Sequence, residues 1–385
     1  MDGIANTLSE SSINTRRVKL SVLIGGHDAT SAIEPSLVDF QFTDHAGGKA
    51  DEIRLTLHDR EGKWNGPWRP SKGTAVTARI TALDWDEPGR HLTLPCGTFK
   101  VDELEFSGPP DKVTLKAVTS ALTSGLRDEA KTRAWENFSL QGLAGQIASE
   151  NGLTLMYDGP EHAFGRQDQR EESDLGFVQR LAKERGMNCK VHDGRLVLFD
   201  GAGADARPAA LTIAKRGGMY SPASYSFKES SSKTDYSKAE VAYTDPASGT
   251  THTAEVAVPD AARDGGGSRS ASAAGTTLPA SESESRAGGA GERGSEDAKT
   301  LQLNTRVESV AEAMRLGKSG LRDANKGKEK ANLEIMGNPA VVAGTVLALT
   351  GFGTFDGRWF VEKAEHKIGG KGYTTAVEIR KALTY

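Results

Sequence analysis

From Arg17 onward, apolar and polar residues alternate along the chain in short runs. A period of two is typical of strands that bury one face. The alternating apolar positions are Val18, Leu20, Val22 and Ile24, then Val38, Phe40 and Phe42, then Ile53, Leu55 and Leu57. Turn-forming clusters such as "HAGGKAD" separate these runs, and further strands are predicted at 76–80, 99–106 and 113–118. Residues 16–122 are therefore predicted to form a first antiparallel β-barrel or sandwich domain.

The period changes to 3.6 residues after this region, which predicts two helices. The inner stripes are Leu140, Leu143, Ala144, Ile147 and Ala148 in the first helix, and Phe177, Val178, Leu181 and Ala182 in the second. Ser139 and Ser173 are suitable N-caps, and Gly152 and Gly186 lie just past the ends. Asp193-Gly194, between two β-rich runs, favours a type I′ hairpin. We expect a small α/β domain over 123–200.

The remainder of the chain returns to strand-like patterns, with one interruption. Strands are predicted within 201–259 and again after 301, where they follow a helix. The apolar stripe predicted for this helix is Val307, Val310, Ala311 and Met314. Between them, 260–300 is rich in Gly, Ser and Ala and has few large apolar residues, which predicts a flexible insertion. Residues 201–259 and 301–385 are expected to form a second β-barrel domain.

Length, charge and cysteine content bear on the number of domains and on the classes of protein to which the chain could belong. A chain of 385 residues suggests two or three domains, and a net charge of −4 gives no reason to expect a nucleic-acid partner. Cys96 and Cys189 are predicted to be ordinary half-buried thiols without a disulfide. Residues 1–15 form a predicted tail without the apolar core of a signal peptide, and no apolar run approaches about 18 residues. We expect a soluble chain that does not insert into membranes.

The segment "GFGTFDGRWF", residues 351–360, superficially resembles a phosphate-binding loop. A dinucleotide fingerprint needs a third glycine and a following helix, whereas Asp356 and a β-rich run stand here. Asp356-Gly357 instead indicates a tight hairpin turn, while Gly351 and Gly353 suit a bulge or sharp bend. Trp359 is expected in a β core.

Other candidate chemistry is equally weak. The sequence contains neither His-Glu-x-x-His nor Cys-x-x-Cys, and His27, His45 and His58 are predicted to be surface loop residues. Glu103 and Glu105 share one face of a strand as a glycosidase pair could, but alternation places charges on a wet face in any case. We predict no catalytic, cofactor-binding or metal-binding residues.

Three stretches resemble the phage late control D family, the baseplate hub proteins of contractile tails. The first is "GTFKVDELEFSGPPDKVTLKAVTSALTSGLRDEAKTRAWENFSLQGLAGQIASENGL" (97–153), followed by "EESDLGFVQRLAKERGMNCKVHDGRLVLF" (171–199) and "GNPAVVAGTVLALTGFGTFDGRWFVEKAEHKI" (337–368). The order of these stretches carries the likeness. The insertion and the first fifteen residues fall outside it.

The resemblance implies a β-rich α+β chain with two antiparallel β-barrel tube domains and a small α/β domain between them. It further implies a homotrimeric ring of pseudo-sixfold symmetry that connects the tail tube to the central spike. The expected partners are the spike, tail tube, tape-measure and other baseplate proteins. The expected location is the virion tail baseplate, after assembly in the host cytoplasm.

Two alternatives to a non-enzymatic phage hub remain open from the sequence. A cell-wall hydrolase carried at the tail tip would need a catalytic core of more than about 100 residues, which the Gly/Ser/Ala-rich insertion cannot supply. A hub or spike component of a secretion system or tail-like bacteriocin would share the same fold.

Overall fold

The computed structural model describes residues 15–119, 125–230, 235–244, 250–259, 299–303, 307 and 309–385. The predicted tail 1–15, apart from Thr15, and the predicted flexible segment 260–298 lie outside these residues. The described chain is β-rich, as predicted, with few and mostly short helices. It divides into two compact units, residues 1–229 with 326–382, and residues 230–325 with 383–385.

The first β region follows the predicted alternation. Its elements are β1 (Arg17–Ile24), β2 (His27–Asp28), α1 (Thr30–Ile33), β3 (Leu37–His45), β4 (Glu52–His58), β5 (Ala75–Leu83), β6 (Leu92–Ser107) and β7 (Lys112–Thr119). Most of the alternating apolar residues are buried, and Phe40, Ile80 and Val76, for example, are 0% exposed. On β1, however, only Val22 is buried, and Val18, Leu20 and Ile24 are half-buried. Burial of this face gives the region its core.

The α/β region also matches its predicted pattern. Its elements are β8 (Ala130–Ser139), α2 (Leu140–Glu150), β9 (Thr154–Asp158), β10 (Ala163–Ser173), α3 (Asp174–Glu184), β11 (Met187–His192), β12 (Arg195–Asp200) and α4 (Gly201–Ala206). Both predicted stripes are buried. Ser139 and Ser173 cap their helices by accepting hydrogen bonds from Gly142 N at 3.1 Å and Gly176 N at 3.2 Å. Asp193 and Gly194 both have positive φ, as a type I′ turn requires.

The chain then contributes β13 (Ala209–Ala214) and β14 (Ser224–Glu229) to the larger unit before it enters the smaller one. The smaller unit consists of β15 (Tyr236–Thr244), β16 (Thr251–Ala257), β17 (Lys299–Leu303) and the helix α5 (Val310–Asn325). These three strands form their own sheet, in the order β16-β15-β17.

The predicted apolar stripe is wrong within α5, although its first member, Val307, lies before the helix and is buried. Val310 is 52% exposed and Met314 is 43% exposed, whereas Ala313 and Leu321 are fully buried. The buried face of the helix is therefore rotated relative to the predicted one, and small residues explain this difference. A Cβ at Gly317 would approach Val256 to 2.9 Å. The helix therefore packs through a face whose lack of bulk allows close approach to the sheet.

The last strands return to the larger unit. They are β18 (Glu329–Met336), β19 (Val346–Thr350), β20 (Gly357–Gly369) and β21 (Gly372–Lys381). The second β region of this unit thus comprises 209–229 and 329–381, and the strands 236–257 and helix 310–325 belong elsewhere. The boundaries predicted from the sequence, 201–259 and 301–385, grouped all of these segments as one domain.

Both β regions share one sheet. A path of eight strands runs β14-β18-β21-β20-β3-β4-β7-β6, within a sheet of 13 strands. The two regions meet where β20 pairs antiparallel with β3, from Lys363 opposite His45 to Gly369 opposite Asp39. Among the described residues this path is open, so the two-barrel arrangement stays a prediction.

The second β region repeats the pairing pattern of the first. β20 pairs with β21 with a register shift between Val361 and Lys363, and β6 pairs with β7 with the same shift between Val101 and Glu103. The neighbouring pairs correspond as well: β19 with β5, β18 with β4, and β14 with β3. This correspondence indicates an internal duplication of one five-stranded unit.

Candidate functional site

The eight-strand path presents one polar face across both β regions. Residues paired directly opposite each other share a face of a sheet. The polar face consists of Ser224, Ser226 and Lys228 on β14; Lys330, Asn332 and Glu334 on β18; Ala376 and Glu378 on β21; Lys363, Glu365 and Lys367 on β20; Gln41 and Thr43 on β3; Glu52, Arg54 and Thr56 on β4; Lys112, Thr114 and Lys116 on β7; and Glu103 and Glu105 on β6. The opposite face forms the apolar cores.

Charges on this face neutralise one another across strands. Lys363 Nζ lies 3.0 Å from a Glu378 oxygen and 3.5 Å from Glu365, while Lys367 Nζ lies 2.6 Å from Glu365. Burial disfavours the charge on Lys363, but the two carboxylates outweigh it and raise its pKa.

Two further lysines of the polar face, on β7 and on β18, also form ion pairs. Lys116 Nζ lies 3.4 Å from Glu52. Lys330 Nζ contacts Glu362 at 3.0 Å. The face is wet, and four of its seven basic residues, Lys116, Lys330, Lys363 and Lys367, are paired with carboxylates.

Glu103 and Glu105 lie on this face, as the alternation predicted, and both are exposed. They stand on an open strand surface at the end of the eight-strand path. Their position fits the prediction of a solvated strand face.

The glycine-rich segment serves backbone geometry. Gly351, Gly353 and Gly357 all have positive φ, and the strand β20, not a helix, follows. The tight two-residue turn predicted at Asp356-Gly357 is wrong, because a longer loop with a 3-10 turn at Gly353–Phe355 connects β19 to β20. The Asp356 side chain accepts from Gly351 N at 3.0 Å and closes the loop.

Trp359 lies in the core as predicted, with 0% exposure. Its Nε1 donates to the Phe355 carbonyl at 2.9 Å, and its ring contacts Phe227 edge-on. The aromatic side chains and the loop therefore stabilise one another.

A buried charge cluster joins three parts of the larger unit, and sequence reasoning missed it. Lys190 Nζ on β11 lies 2.7 Å from Asp44 on β3 and 3.7 Å from Asp51, and His192 Nδ1 lies 2.7 Å from Asp51. Asp44 also accepts from Ala343 N at 2.9 Å, in the loop before β19. The cluster thus connects the α/β region to both β regions.

The electrostatics of this cluster are those of an ion pair. Burial raises the pKa of Asp44, although Lys190 opposes it. Burial also works against the charge of Lys190, yet Asp44 and Asp51 raise its pKa overall. Asp44, Asp51 and His192 have a spacing that could hold a metal ion, but the Lys190 ammonium already supplies the positive charge there. Because the members of the cluster are spread along the chain from Asp44 to His192, no short motif could have revealed it.

The predicted surface histidines lie in different settings. His27 is exposed on β2, whereas His45 and His58 are half-buried at the ends of β3 and β4 rather than in loops. Burial lowers the pKa of His45. None of the three belongs to the charge cluster through its side chain.

The two thiols are free and fully buried, deeper than the predicted half-burial. Burial raises the pKa of Cys189 to about 12. No helix of the described chain has the length and apolar character needed to cross a membrane.

Comparisons with known proteins agree on one family. A model of the phage tail baseplate hub (GPD) family matches residues 101–372. The probable baseplate hub protein of Escherichia phage P2 is 30% identical over 182 residues, which is 46% of this chain and 44% of the relative. Its counterpart in Escherichia phage 186 is 31% identical over 183 residues, covering 47% and 44%. The matched region thus spans less than half the length of these curated relatives.

Solved structures share the fold. The tail protein from Neisseria meningitidis MC58 has a TM-score of 0.65 at 12% identity, covering 96% of this chain and 98% of its own. The 43 kDa tail protein of prophage MuSo2 from Shewanella oneidensis has a TM-score of 0.61 at 14% identity, covering 94% and 98%.

Proposed function

The chain belongs to the phage tail baseplate hub family, and from this premise we propose that three copies form a ring that joins the tail tube to the central spike. The role is structural. The ring binds the spike, closes the end of the tube and anchors the surrounding baseplate.

The observation that carries this proposal is the duplicated β unit within one continuous sheet. Two equivalent β units per chain give six in a trimer. A ring with six similar units and three chains matches a sixfold tube on one side and a threefold spike on the other. The duplication therefore supplies the symmetry change that a hub requires.

We assign the polar face to the channel of this ring. A channel wall contacts water, which suits the polar face. The opposite face of the sheet is buried in the apolar cores of the two β regions. Cross-strand pairs such as Lys363–Glu378 and Lys116–Glu52 keep the wall neutral over short distances.

We propose no enzymatic activity. Glu103 and Glu105 stand on the open polar face, and the buried cluster around Lys190 has its carboxylates engaged by Lys190, His192 and backbone N–H groups. Both groups have structural explanations.

Light scattering combined with electron microscopy of the purified ring tests the proposal. We expect a trimer, alone or after mixing with the spike protein, with Arg54 and Asn332 directed toward a central channel. Monomers under both conditions would refute the ring, and a reconstruction with these two residues on the outer wall would refute the channel assignment.

A further inference from the structure

The strands β6 and β14 lie at the two ends of the eight-strand path. In the part of the chain that the structure describes, each has an edge with unpaired backbone groups, whereas the strands between them are paired on both sides. From Asp102 to Ser107, β6 pairs with β7 on one side and has no strand partner on the other within the described chain. Among the residues that the structure describes, β14 pairs with β18 on one side and with no strand on the other. Unpaired strand edges of this kind are templates for pairing with another chain.

The internal duplication indicates that the free edge of β6 can pair with the free edge of β14. Because β20 corresponds to β6 and β3 corresponds to β14, the β20–β3 pairing within the chain has a counterpart made of β6 and β14. β6 and β14 lie at opposite ends of the path, so the counterpart requires a second copy. We propose that β6 of one copy pairs antiparallel with β14 of the next copy, which rests on the proposed trimeric ring.

The observed registers fix the register of this contact. Lys363 follows the register shift in β20, and Glu103 follows the equivalent shift in β6, so these two residues correspond. Two residues further along, Glu365 corresponds to Glu105. On the other side, Phe40 opposite Leu55 corresponds to Tyr225 opposite Leu333.

Thr43, the partner of Glu365, therefore corresponds to Lys228. Glu105 of one copy faces Lys228 of its neighbour.

The side chains at this register are complementary. Glu105 and Lys228 carry opposite charges on the polar face, and both residues are exposed in the single chain. The adjacent pair, Phe106 with Phe227, is half-buried and lies on the apolar face. Ser107 would face Ser226. Opposite charges and matched apolar residues at facing positions each favour pairing.

Interchain disulfide formation tests the register. Under mild oxidation, the variant E105C/K228C should give covalent dimers and trimers, since residues directly opposite in antiparallel strands come within disulfide reach. The matched control is E105C/S224C, which shifts one thiol by four residues, about 14 Å along the strand. Cys96 and Cys189 are buried and give the same background in both variants.

Light scattering of the same samples separates this inference from the proposed function. Trimers without the cross-link in E105C/K228C, or with equal cross-linking in the control, would overturn the pairing and leave the ring intact. Monomers alone and with the spike would refute both.

Charge reversal gives a second readout that does not depend on a thiol. We expect E105K and K228E each to lower the trimer fraction, because like charges then face each other across the contact. The double variant E105K/K228E should restore it. Failure of the double variant to recover trimer, with both single variants folded and defective, would contradict the pairing.

Discussion

Trp359 and Trp68 are two tryptophans in opposite environments, and they allow a matched test of the second core. Trp359 is 0% exposed, whereas Trp68 is 44% exposed. Truncating a buried Trp to Ala removes packing and leaves a cavity, so Trp359→Ala should lower the free energy of unfolding by about 3–5 kcal/mol. Trp68→Ala should cost about 1 kcal/mol. Urea denaturation of both variants measures the difference, and similar midpoints would show that Trp359 is not a core residue.

His366 is a buried titratable residue, and its burial disfavours the protonated, charged form of the ring. Its Nε2 donates to the Val341 carbonyl at 3.0 Å, so Nδ1 is the acceptor for the Tyr373 hydroxyl at 2.8 Å. Burial lowers the pKa of His366 to about 4, although the hydrogen bond to Val341 opposes the shift. The folded protein therefore keeps this ring neutral under mildly acidic conditions.

Stability should depend on pH through this histidine. As the pH falls below about 6.5, the unfolded chain takes up a proton that the folded chain refuses, so stability is lost down to the folded pKa of about 4. The loss attributable to His366 between pH 7 and pH 4 is about 3 kcal/mol.

The variant His366→Gln should be less steeply destabilised by acid than the parent, and the exposed His27→Gln should keep the parental slope. Denaturant midpoints across this pH range measure the slopes, and an NMR titration of the His366 ring gives its pKa directly. A ring that titrates at about 6.5 in the folded protein would contradict the assignment.

At the scale of elements, the Lys190 cluster fixes β11 of the α/β region against β3. Lys190→Met would leave Asp44 and Asp51 buried without their cation. Breaking a buried ion pair in this way costs about 3–5 kcal/mol. Lys49→Met, an exposed lysine near the same site, should have little effect on the urea midpoint.

A second substitution separates charge from packing. K190M/D44N removes one of the stranded charges and should recover part of the stability lost in K190M. An unchanged midpoint in K190M, or no recovery in the double variant, would mean that the cluster does not hold these elements together electrostatically.

The sequence predicted helices and their caps correctly where neighbouring residues alone determine them. The stripes and caps of α2 and α3 are visible in consecutive residues, because a helix closes its hydrogen bonds within four positions. The stripe of α5 was predicted wrongly because Val310 and Met314 dominate a hydrophobicity pattern, whereas Gly317 decides the contact by its lack of a side chain. The Asp44–Lys190 contact carried no local signal, since both residues sit within ordinary strand patterns.

At the scale of the whole molecule, alternation predicted strands in both β regions but not their partners. The pairing of β20 with β3 joins residues more than 300 positions apart, and a period of two is the same for every possible partner. The duplication became visible through equivalent register shifts at Val101 and Val361, which depend on pairing. The polar face was predictable strand by strand, and its continuity was not.

The ion pairs on the polar face have a consequence for the binding of nucleic acid. DNA binds proteins mainly by exchanging counterions for unpaired Lys and Arg, and here Lys363 and Lys367 are already neutralised by Glu365 and Glu378. With a net charge of −4 per chain, we expect the assembled protein to show no binding to double-stranded DNA at physiological salt in fluorescence anisotropy. If the polar face lines the proposed channel, its paired lysines offer few free cations to a polyanion.

Removing the paired carboxylates should change that behaviour. The variant E365Q/E378Q frees both lysines on the polar face, and we expect weak DNA binding that appears at low salt and disappears as salt rises. The control E87Q/E161Q makes the same change in net charge at exposed positions away from this face and should not bind. Equal binding by both variants would show that total charge controls the interaction, and tight binding by the parent at physiological salt would contradict a neutralised wall.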